Sequence, residues 1–506
     1  MTEFTRPWPS LAELGEQLLR RELRAVDLVE RCLQRITAVD PLVNAVFAVD
    51  PAARAQARIS DRRLADGRAR PLEGIPVLVK DNVDTRGLAT AAGSPLLTEH
   101  PPVTDADVVG LLRAAGAVVV GKTNLSEWGN FRSVNGIEGW SGAGGQTWNP
   151  HALDHSPAGS SSGSAAAVAA GLAPLAIGTE TDGSVVCPAS VTGVVGVKPE
   201  HGLLPVGGIV PISPALDTPG VLSGSCADAA ACLAALTGEA LPGPVPVAGL
   251  RLGVWPGRRM APAARDVLDR TVTALTAAGA TVVPVELVLD SGVLEEALEA
   301  LVAEFRPSAE HYLAGRRGAP PTLAALIEAT RPLEAPFGQD LFERALAVTD
   351  EQSAQASVQR VRARQWARTL LHDALTGADV SAVVAPTSDP AWPVDHTGGD
   401  RRARNTSTVP ALAGYPHITV PAGLHDALPV GVSVFGPPRI RDALAIATAV
   451  ETVCGPRPVP RLGAGLAAGP AELPDGKTVP VPHEPSRTTG RFPSDDARTE
   501  PEGALR

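Results

Sequence analysis

The chain is predicted to fold as an α/β protein: a large mixed, mostly parallel β-sheet sandwiched between layers of α-helices. Three observations predict it. Of 506 residues, 44% are hydrophobic, enough for a large buried core. Helical and strand-like stretches alternate along most of the chain. Helix-starting and helix-stopping residues punctuate the alternation, with Ser10, Thr104 and Pro262 at starts and Gly116 and Gly279 at ends.

The elements follow in order. Ser10 and Glu13 form a capping-box pair ahead of Leu11, Leu14 and Leu18 at helical spacing. Val29, Cys32, Leu33 and Ile36 mark a second amphipathic helix. Ile75 to Val79 is a short apolar run, read as a buried strand that ends in Lys80. Thr104 and Asp107 cap a helix whose apolar face is Val108, Leu111, Leu112 and Ala115. Gly116 stops it, and Ala117 to Gly121 is the next strand. A helix begins at Ser164, with strands near Leu175 to Gly178 and Val194 to Val197 and a helix over Asp228 to Leu236. Leu250 to Trp255, a helix from Pro262 to Ala278 and the run "ATVVPV" repeat the alternation. Val380 to Ala385, Ile418 to Gly423 and Val430 to Gly436 complete the expected strands. Residues 290–375 read as mostly helical, a substrate-selecting insertion over one edge of the sheet. One domain is expected over residues 1–462. From 463 to 506 the composition shifts to Pro, Gly, Ser and charge, which reads as a disordered tail.

The bulk numbers exclude several function classes. A net charge of −11 and a pI near 5.5 argue against nucleic acid or an anionic membrane as the main partner. The five cysteines, Cys32, Cys187, Cys226, Cys232 and Cys454, are scattered and form no metal-ligand spacing. They read as reduced thiols in a cytoplasmic protein, with no metal site. The N-terminus is charged and helical, unlike a secretory signal. The longest uncharged apolar run, Ala165 to Gly178, is shorter than the roughly 20 residues of a membrane span and contains Gly171 and Pro174.

Four serines occur in five positions between Ser160 and Ser164. Buried, each hydroxyl needs a partner. Gly159 to Gly163 fits G-x-S-x-G centred on Ser161, but that elbow requires a strand before it. The residues before it, "TWNPHALDHSP", hold two prolines and no strand-like run, and no downstream histidine stands in a motif. A better nucleophile lies in "GTETDGSVVCPAS". There an apolar strand runs into a polar turn, Thr179 to Ser184, whose successive N–H groups can converge on an anion. Ser184 at its end would sit beside those donors, as acyl transfer requires. Lys80, straight after an apolar strand, is a candidate base, because low dielectric lowers a lysine pKa and exposes the neutral amine. An isolated lysine there is more commonly an ion-paired cation, and spacing alone does not join Lys80, Ser160 and Ser184.

With these stretches in view, the chain resembles the amidase signature family. The family's G-S-S-x-G-S matches Gly159 to Ser164, its T-D-x-G-G-S-I-R-x-P matches Thr179 to Pro188, and its G-[IV]-P-x-x-x-K-D matches Gly74 to Asp81. "GKTNLSEWG", Asn149-Pro150, "GVVGVKPEHGLLP", "PALAGYPHITVPAG" and "LPVGVSVFG" follow in the family's order, so the likeness spans about residues 10–460. It implies the amidase-signature fold and a Ser–cis-Ser–Lys triad: Ser184 as nucleophile, Ser160 as bridging serine beside a cis peptide bond, and Lys80 as terminal base. The N–H groups of Thr181, Asp182, Gly183 and Ser184 would form the oxyanion hole, and Ser161 would support the network. No metal or cofactor is implied.

Departures from the pattern narrow the substrate. The family often carries glycine where this chain has Asp182, and arginine where it has Val186. Val186 cannot pair with a carboxylate substrate. The variant turn, with "SGAGGQTWNP" and "HSPAGSSSGS", is most similar to the peptide amidase branch, which removes C-terminal amides of peptides. A general amidase for aliphatic or aryl amides shares the same triad, and an amidotransferase component working with partner proteins and tRNA is a further alternative. The expected partner is a small-molecule or peptide amide, with the enzyme a monomer or homodimer. Asp182 and Trp140 are candidate substrate-binding residues, although aromatics such as Trp128, Trp140 and Trp148 also serve simply to pack. Cys187 reads as a buried small hydrophobe, and His417 has no assigned chemistry.

Overall fold

The computed structural model describes residues 7–400 and 403–462. The tail expected from 463 onward lies outside the described residues. Helix α1 (Leu11–Leu19) carries the expected capping box: the Ser10 hydroxyl accepts from the Glu13 N–H, and the Glu13 carboxylate accepts from the Ser10 N–H at 2.8 Å. Helix α2 (Ala25–Val43) buries Val29, Cys32, Leu33 and Ile36 as their spacing predicts. Then come β1 (Val46–Val49), α3 (Ala53–Ala65), β2 (Pro76–Lys80), α4 (Asp107–Ala115) and β3 (Val118–Thr123). Helix α4 starts differently from the expectation. Its N-cap is Ala106, without a side-chain cap, and Thr104 lies outside it. Gly116 does stop it, in the left-handed region at φ 100°, where a Cβ is disfavoured.

A short hairpin follows, β4 (Trp140–Ser141) and β5 (Gly145–Gln146). Next are α5 (Ser162–Ala169), β6 (Leu175–Glu180), α6 (Val186–Thr192), β7 (Val195–Lys198), β8 (Thr218–Ser223) and α7 (Cys226–Thr237). After β9 (Arg251–Val254), α8 (Pro262–Ala277) and β10 (Thr281–Pro284), four helices run without a strand: α9 (Ser291–Ala314), α10 (Leu323–Thr330), α11 (Asp340–Leu346) and α12 (Asp350–Gly377). The chain returns through β11 (Ala382–Pro386), α13 (Thr408–Ala413), β12 (His417–His425), β13 (Leu428–Phe435) and α14 (Ile440–Cys454).

Eleven strands form one mixed sheet in the order β1-β3-β2-β6-β8-β7-β12-β13-β11-β9-β10. Parallel pairing is concentrated in two blocks, β3-β2-β6 and β11-β9-β10. The strands between those blocks, and β1 at the edge, pair antiparallel. Strand β8 was not legible in the sequence, because its "TPGVLS" carries a proline and a glycine. The register explains how it is tolerated. Pro219 pairs with Thr179 of β6, whereas β7 pairs only from Val221 onward. The missing N–H therefore falls where β8 has a neighbour on one side.

Helix α5 packs on β2, β3, β6 and β8, and touches α6. Helices α7, α8 and α14 pack against β7, β8, β10 to β13 and one another. The main core runs through both sets and includes Leu78, Ile177, Val197, Leu222, Val432 and Ala447. Helices α9 to α11 build a separate apolar cluster, with Phe305, Leu326 and Phe342 packed against Trp128 and Phe131 of the β3–β4 connection. This cluster fixes the insertion against the loops at the site. No helix of the described residues is long and apolar enough to cross a membrane, and no described group of His, Cys, Asp or Glu could hold a metal ion.

Candidate active site

Strands β2 and β6 run parallel, with Val79 opposite Ile177, so their carboxyl ends open at the same edge of the sheet. That edge is where α/β sheets collect ligands. It brings the end of β2, Lys80, to the end of β6, Thr179. Lys80 is 0% exposed. Its ammonium donates to Ser160 Oγ at 2.8 Å, Thr179 Oγ1 at 3.0 Å and the Thr179 carbonyl at 3.2 Å. Burial pulls its pKa from 10.5 down to about 7, while Asp217 and Glu180 hold it up. Near neutral pH the amine therefore spends much of its time without the extra proton, which is what a base requires.

Ser160 reaches Lys80 from the loop ahead of α5, and the Gly159–Ser160 peptide bond is cis. Gly159 has a steric reason: a Cβ there would lie 2.2 Å from Ser126 Oγ. The other serines of the cluster are buried and partnered. Ser161 Oγ donates to the Thr179 carbonyl at 3.0 Å, and its N–H donates to the Ser184 carbonyl at 3.0 Å. Ser162 Oγ donates to the Ala158 carbonyl at 2.6 Å, and Ser164 Oγ to the Ile177 carbonyl at 3.1 Å. Ser161 and Ser164 thus stitch the segment to β6 and the 181–184 turn, and Ser162 braces the segment itself. The serine-rich composition is accounted for by hydrogen bonding.

The turn between β6 and α6 carries Thr181, Asp182, Gly183 and Ser184. The Glu180 carboxylate anchors it by accepting the N–H groups of Val185 at 2.8 Å and Val186 at 3.1 Å. Gly183 sits at φ +81°. The N–H groups of residues 182–184 are donors that have no acceptor among the described residues. Ser184 is 9% exposed and lines a cavity of about 270 Å³ together with Ser160, Thr181, Asp182 and Gly183. Phe131, Leu298, Leu301, Leu341 and Trp392 supply its apolar wall. Leu298 and Leu301 come from α9 and Leu341 from α11, so the insertion contributes directly to the pocket.

Two expectations need correction or refinement. Trp140 is not among the residues that line this cavity. It packs edge-on against Phe337 at 5.1 Å, because the β4–β5 hairpin turns it toward the α10–α11 connection. The lining tryptophan is Trp392, which the sequence did not single out. Asp182 does line the cavity, but both carboxylate oxygens are engaged. Ser407 Oγ donates to one at 2.5 Å and Thr408 Oγ1 to the other at 2.8 Å, tying the turn to α13. Burial pushes its pKa up.

Sequence reasoning missed Asn82 and Asp217, and gave Thr179 no contact with Lys80. Asn82 Nδ2 donates to Thr179 Oγ1 at 2.9 Å. Asp217 is 6% exposed and accepts Thr181 Oγ1 at 2.6 Å, and burial lifts its pKa to about 6. The only local signal was position, since Asn82 follows Asp81 of one motif and Thr179 opens the other. Cys187 lines the cavity, yet burial raises its thiol pKa well above 9, so it is a packing thiol rather than a nucleophile. His417 is structural: buried, it contacts Ser433 Oγ at 2.6 Å, and its pKa falls to about 3. Lys122, a second wholly buried lysine, donates to the Val83 carbonyl at 2.6 Å and Thr90 Oγ1 at 2.9 Å, and so pins the loop after β2.

Comparison with known proteins places the chain in a family. Residues 27–444 match the family described as Amidase. The chain is 35% identical over 440 residues to one of the subunits of glutamyl-tRNA(Gln) amidotransferase from Salinispora tropica, covering 80% of this chain and 88% of that protein. A probable amidase of Arabidopsis thaliana is 34% identical over 451 residues, covering 82% and 84%. Among solved structures, native peptide amidase from Stenotrophomonas maltophilia superposes with a TM-score of 0.82 at 39% identity, covering 91% of this chain and 100% of that one. A complex of the peptide amidase PAM with the competitive inhibitor chymostatin gives 0.83 at 40% identity, covering 89% and 98%.

Proposed function

The chain belongs to the amidase family, enzymes that hydrolyse amide C–N bonds, and we propose that it removes the C-terminal amide of peptides, releasing ammonia. One observation carries the reading. Among the described residues, the cavity at Ser184 is lined by two acids, Glu138 and Asp182, by apolar side chains and by no lysine or arginine. Among those described lining residues a buried free carboxylate would find no partner cation, which is unfavourable. A peptide amide has no carboxylate at its C-terminal end and offers apolar side chains to Phe131, Leu298, Leu301 and Trp392. Val186, buried under Ala158 and Ala391, supplies no charge either.

The triad then works as follows. Neutral Lys80 takes the proton of Ser160 Oγ as Ser160 takes that of Ser184. The Ser184 oxygen forms a bond to the amide carbon, and the carbonyl oxygen gains the negative charge. The N–H groups of Thr181, Asp182, Gly183 and Ser184 receive that oxyanion. On collapse the C–N bond breaks, and Lys80 returns its proton through Ser160 so that nitrogen leaves as ammonia. Water attacks the acyl-enzyme by the same relay and frees the carboxylate and Ser184. No cofactor enters these steps. The five unpaired thiols support a cytoplasmic enzyme.

The relatives named as amidotransferase subunits favour a second reading, a glutaminase working with partner proteins. Glutamine carries an α-carboxylate, so the same cavity lining disfavours it. The test is ammonia release by the purified chain from an N-protected dipeptide amide, benzamide and glutamine. Fast release from the dipeptide amide alone supports the proposal. Release mainly from benzamide would make it a general amidase, and release from glutamine would restore the second reading.

A further inference from the structure

A small enclosed cavity adjoins the catalytic cleft, and Gly129, Ser160, Thr181 and Ile212 line both. It offers about 10 Å³ to the centre of a water molecule. One bound water needs roughly 10–15 Å³ on that measure. Its wall is polar, with Asn82, Thr179 and Asp217 alongside Trp128. Two of these side chains carry buried atoms with no hydrogen-bond partner among the described residues, the acceptor Asn82 Oδ1 and the donor Trp128 Nε1. Asn82 is 6% and Trp128 2% exposed. Native proteins rarely leave such atoms unmatched, and ordered water is the usual partner. Both occur on the wall of one cavity of the right size.

We propose that this cavity binds a single water molecule belonging to the catalytic centre, and that through it Asp217 acts as a positioning residue for Lys80. The proposal rests on Lys80 being the catalytic base. The water accepts from the indole N–H of Trp128 and donates to Asn82 Oδ1 and to the Asp217 carboxylate. Three bonds are typical for a buried water. Asp217 has a place for one more donor. It already accepts Thr181 Oγ1 at 2.6 Å and the N–H groups of Ile212 at 2.9 Å and Ser213 at 3.0 Å, and a carboxylate has about four acceptor sites. From Asn82 the chain continues through Nδ2 to Thr179 Oγ1, the oxygen that also accepts from Lys80. The water and Asn82 thereby fix Thr179 Oγ1 and the Asp217 carboxylate in place around the lysine, and the charge of Asp217 favours the ammonium. The charged groups acting on Lys80 are Asp217 and Glu180, and the one acting on Asp217 is Lys80.

The test combines a high-resolution crystal structure of the full chain with pH profiles of kcat/KM for wild type, Asp217→Asn and Trp128→Phe. Asparagine keeps the carbonyl for Ile212 and Ser213 and can donate to Thr181 Oγ1, so it removes charge with little change of shape. The expected density is an ordered water within hydrogen-bond distance of Asn82 Oδ1 and Trp128 Nε1, lost in Trp128→Phe. Both variants should move the acidic limb to lower pH, Asp217→Asn by at least about half a unit. That is about a threefold gain on the limb relative to each enzyme's own plateau. Density without a water overturns the proposal, as do limbs unmoved in both variants with only kcat or stability reduced. Should Asp217→Asn not fold, the density and Trp128→Phe decide. Should the wild type release ammonia from no amide, the proposed function fails on its own and the density still judges the water site.

Discussion

Replacing Lys80 by methionine should abolish turnover and stabilise the protein. The side chain is wholly buried, and the drop of its pKa from 10.5 to about 7 comes mainly from that burial. The gap corresponds to about 5 kcal/mol. The sign follows from proton binding. Between about pH 7 and 10.5 the unfolded chain holds a proton that the native state sheds, so the wild type gains stability as pH rises through that window. Methionine of similar length removes this dependence. Against the gain stand the acceptors that Lys80 leaves. The Thr179 carbonyl keeps Ser161 Oγ at 3.0 Å, and Thr179 Oγ1 keeps Asn82 Nδ2 at 2.9 Å. Only the Ser160 hydroxyl loses a partner outright, at about 1–3 kcal/mol. The variant should therefore be about 2–4 kcal/mol more stable at pH 6, an advantage shrinking by about 2–3 kcal/mol at pH 9. Urea unfolding of both proteins at the two pH values measures it. A stability difference that does not change with pH, or a Lys80→Met enzyme that turns over, would refute the reasoning.

Other outcomes follow from the same geometry. Ser184→Ala should lower kcat by at least about 10³-fold with the fold intact, and mass spectrometry should find no acyl adduct on it. Wild-type kcat/KM should fall about tenfold per pH unit below about pH 7, because protonated Lys80 cannot act as base, and a flat profile down to pH 5 would remove Lys80 from that role. Gly183→Ala places a Cβ at φ +81°, 2.9 Å from Ser407 Oγ and 3.0 Å from Cys187 Sγ. It should cost about 1–3 kcal/mol in thermal unfolding and reduce kcat, whereas native values for both would show that the turn adapts freely. The Cys187 thiol should stay unlabelled by iodoacetamide at pH 8 in the native enzyme and react after denaturation, because burial keeps it protonated.

Much of the fold was legible because its elements are marked locally. The Ser10–Glu13 box, the Gly116 stop and the apolar runs of β2, β3 and β6 all lie where short-range pattern put them. Strand β8 escaped because proline and glycine in a central strand argue against one, and only its one-sided pairing at Pro219 removes the objection. Strand β1 and helix α3 were also missed, their apolar signal being short or mixed with charge. At the site, the serine cluster and the polar turn pointed to acyl transfer, but a cavity wall is drawn from distant segments. Trp140 and Trp392 are both tryptophans in loop-rich stretches, and nothing local to either says which one faces Ser184.

The sequence by itself determined the alternation of helix and strand, the residue types of the serine cluster, the polar turn and the end of β2, and the absence of a cation at Val186. Those are properties of residue type and short-range spacing. Only the tertiary structure decided that Lys80, Thr179 and Ser160 meet, that Asp182 is tied to α13, and that Asn82, Trp128 and Asp217 enclose a water-sized space. The physical reason is that β2 and β6 become neighbours through parallel pairing, and Lys80 loses its ordinary pKa only when layers of helix and strand close over it.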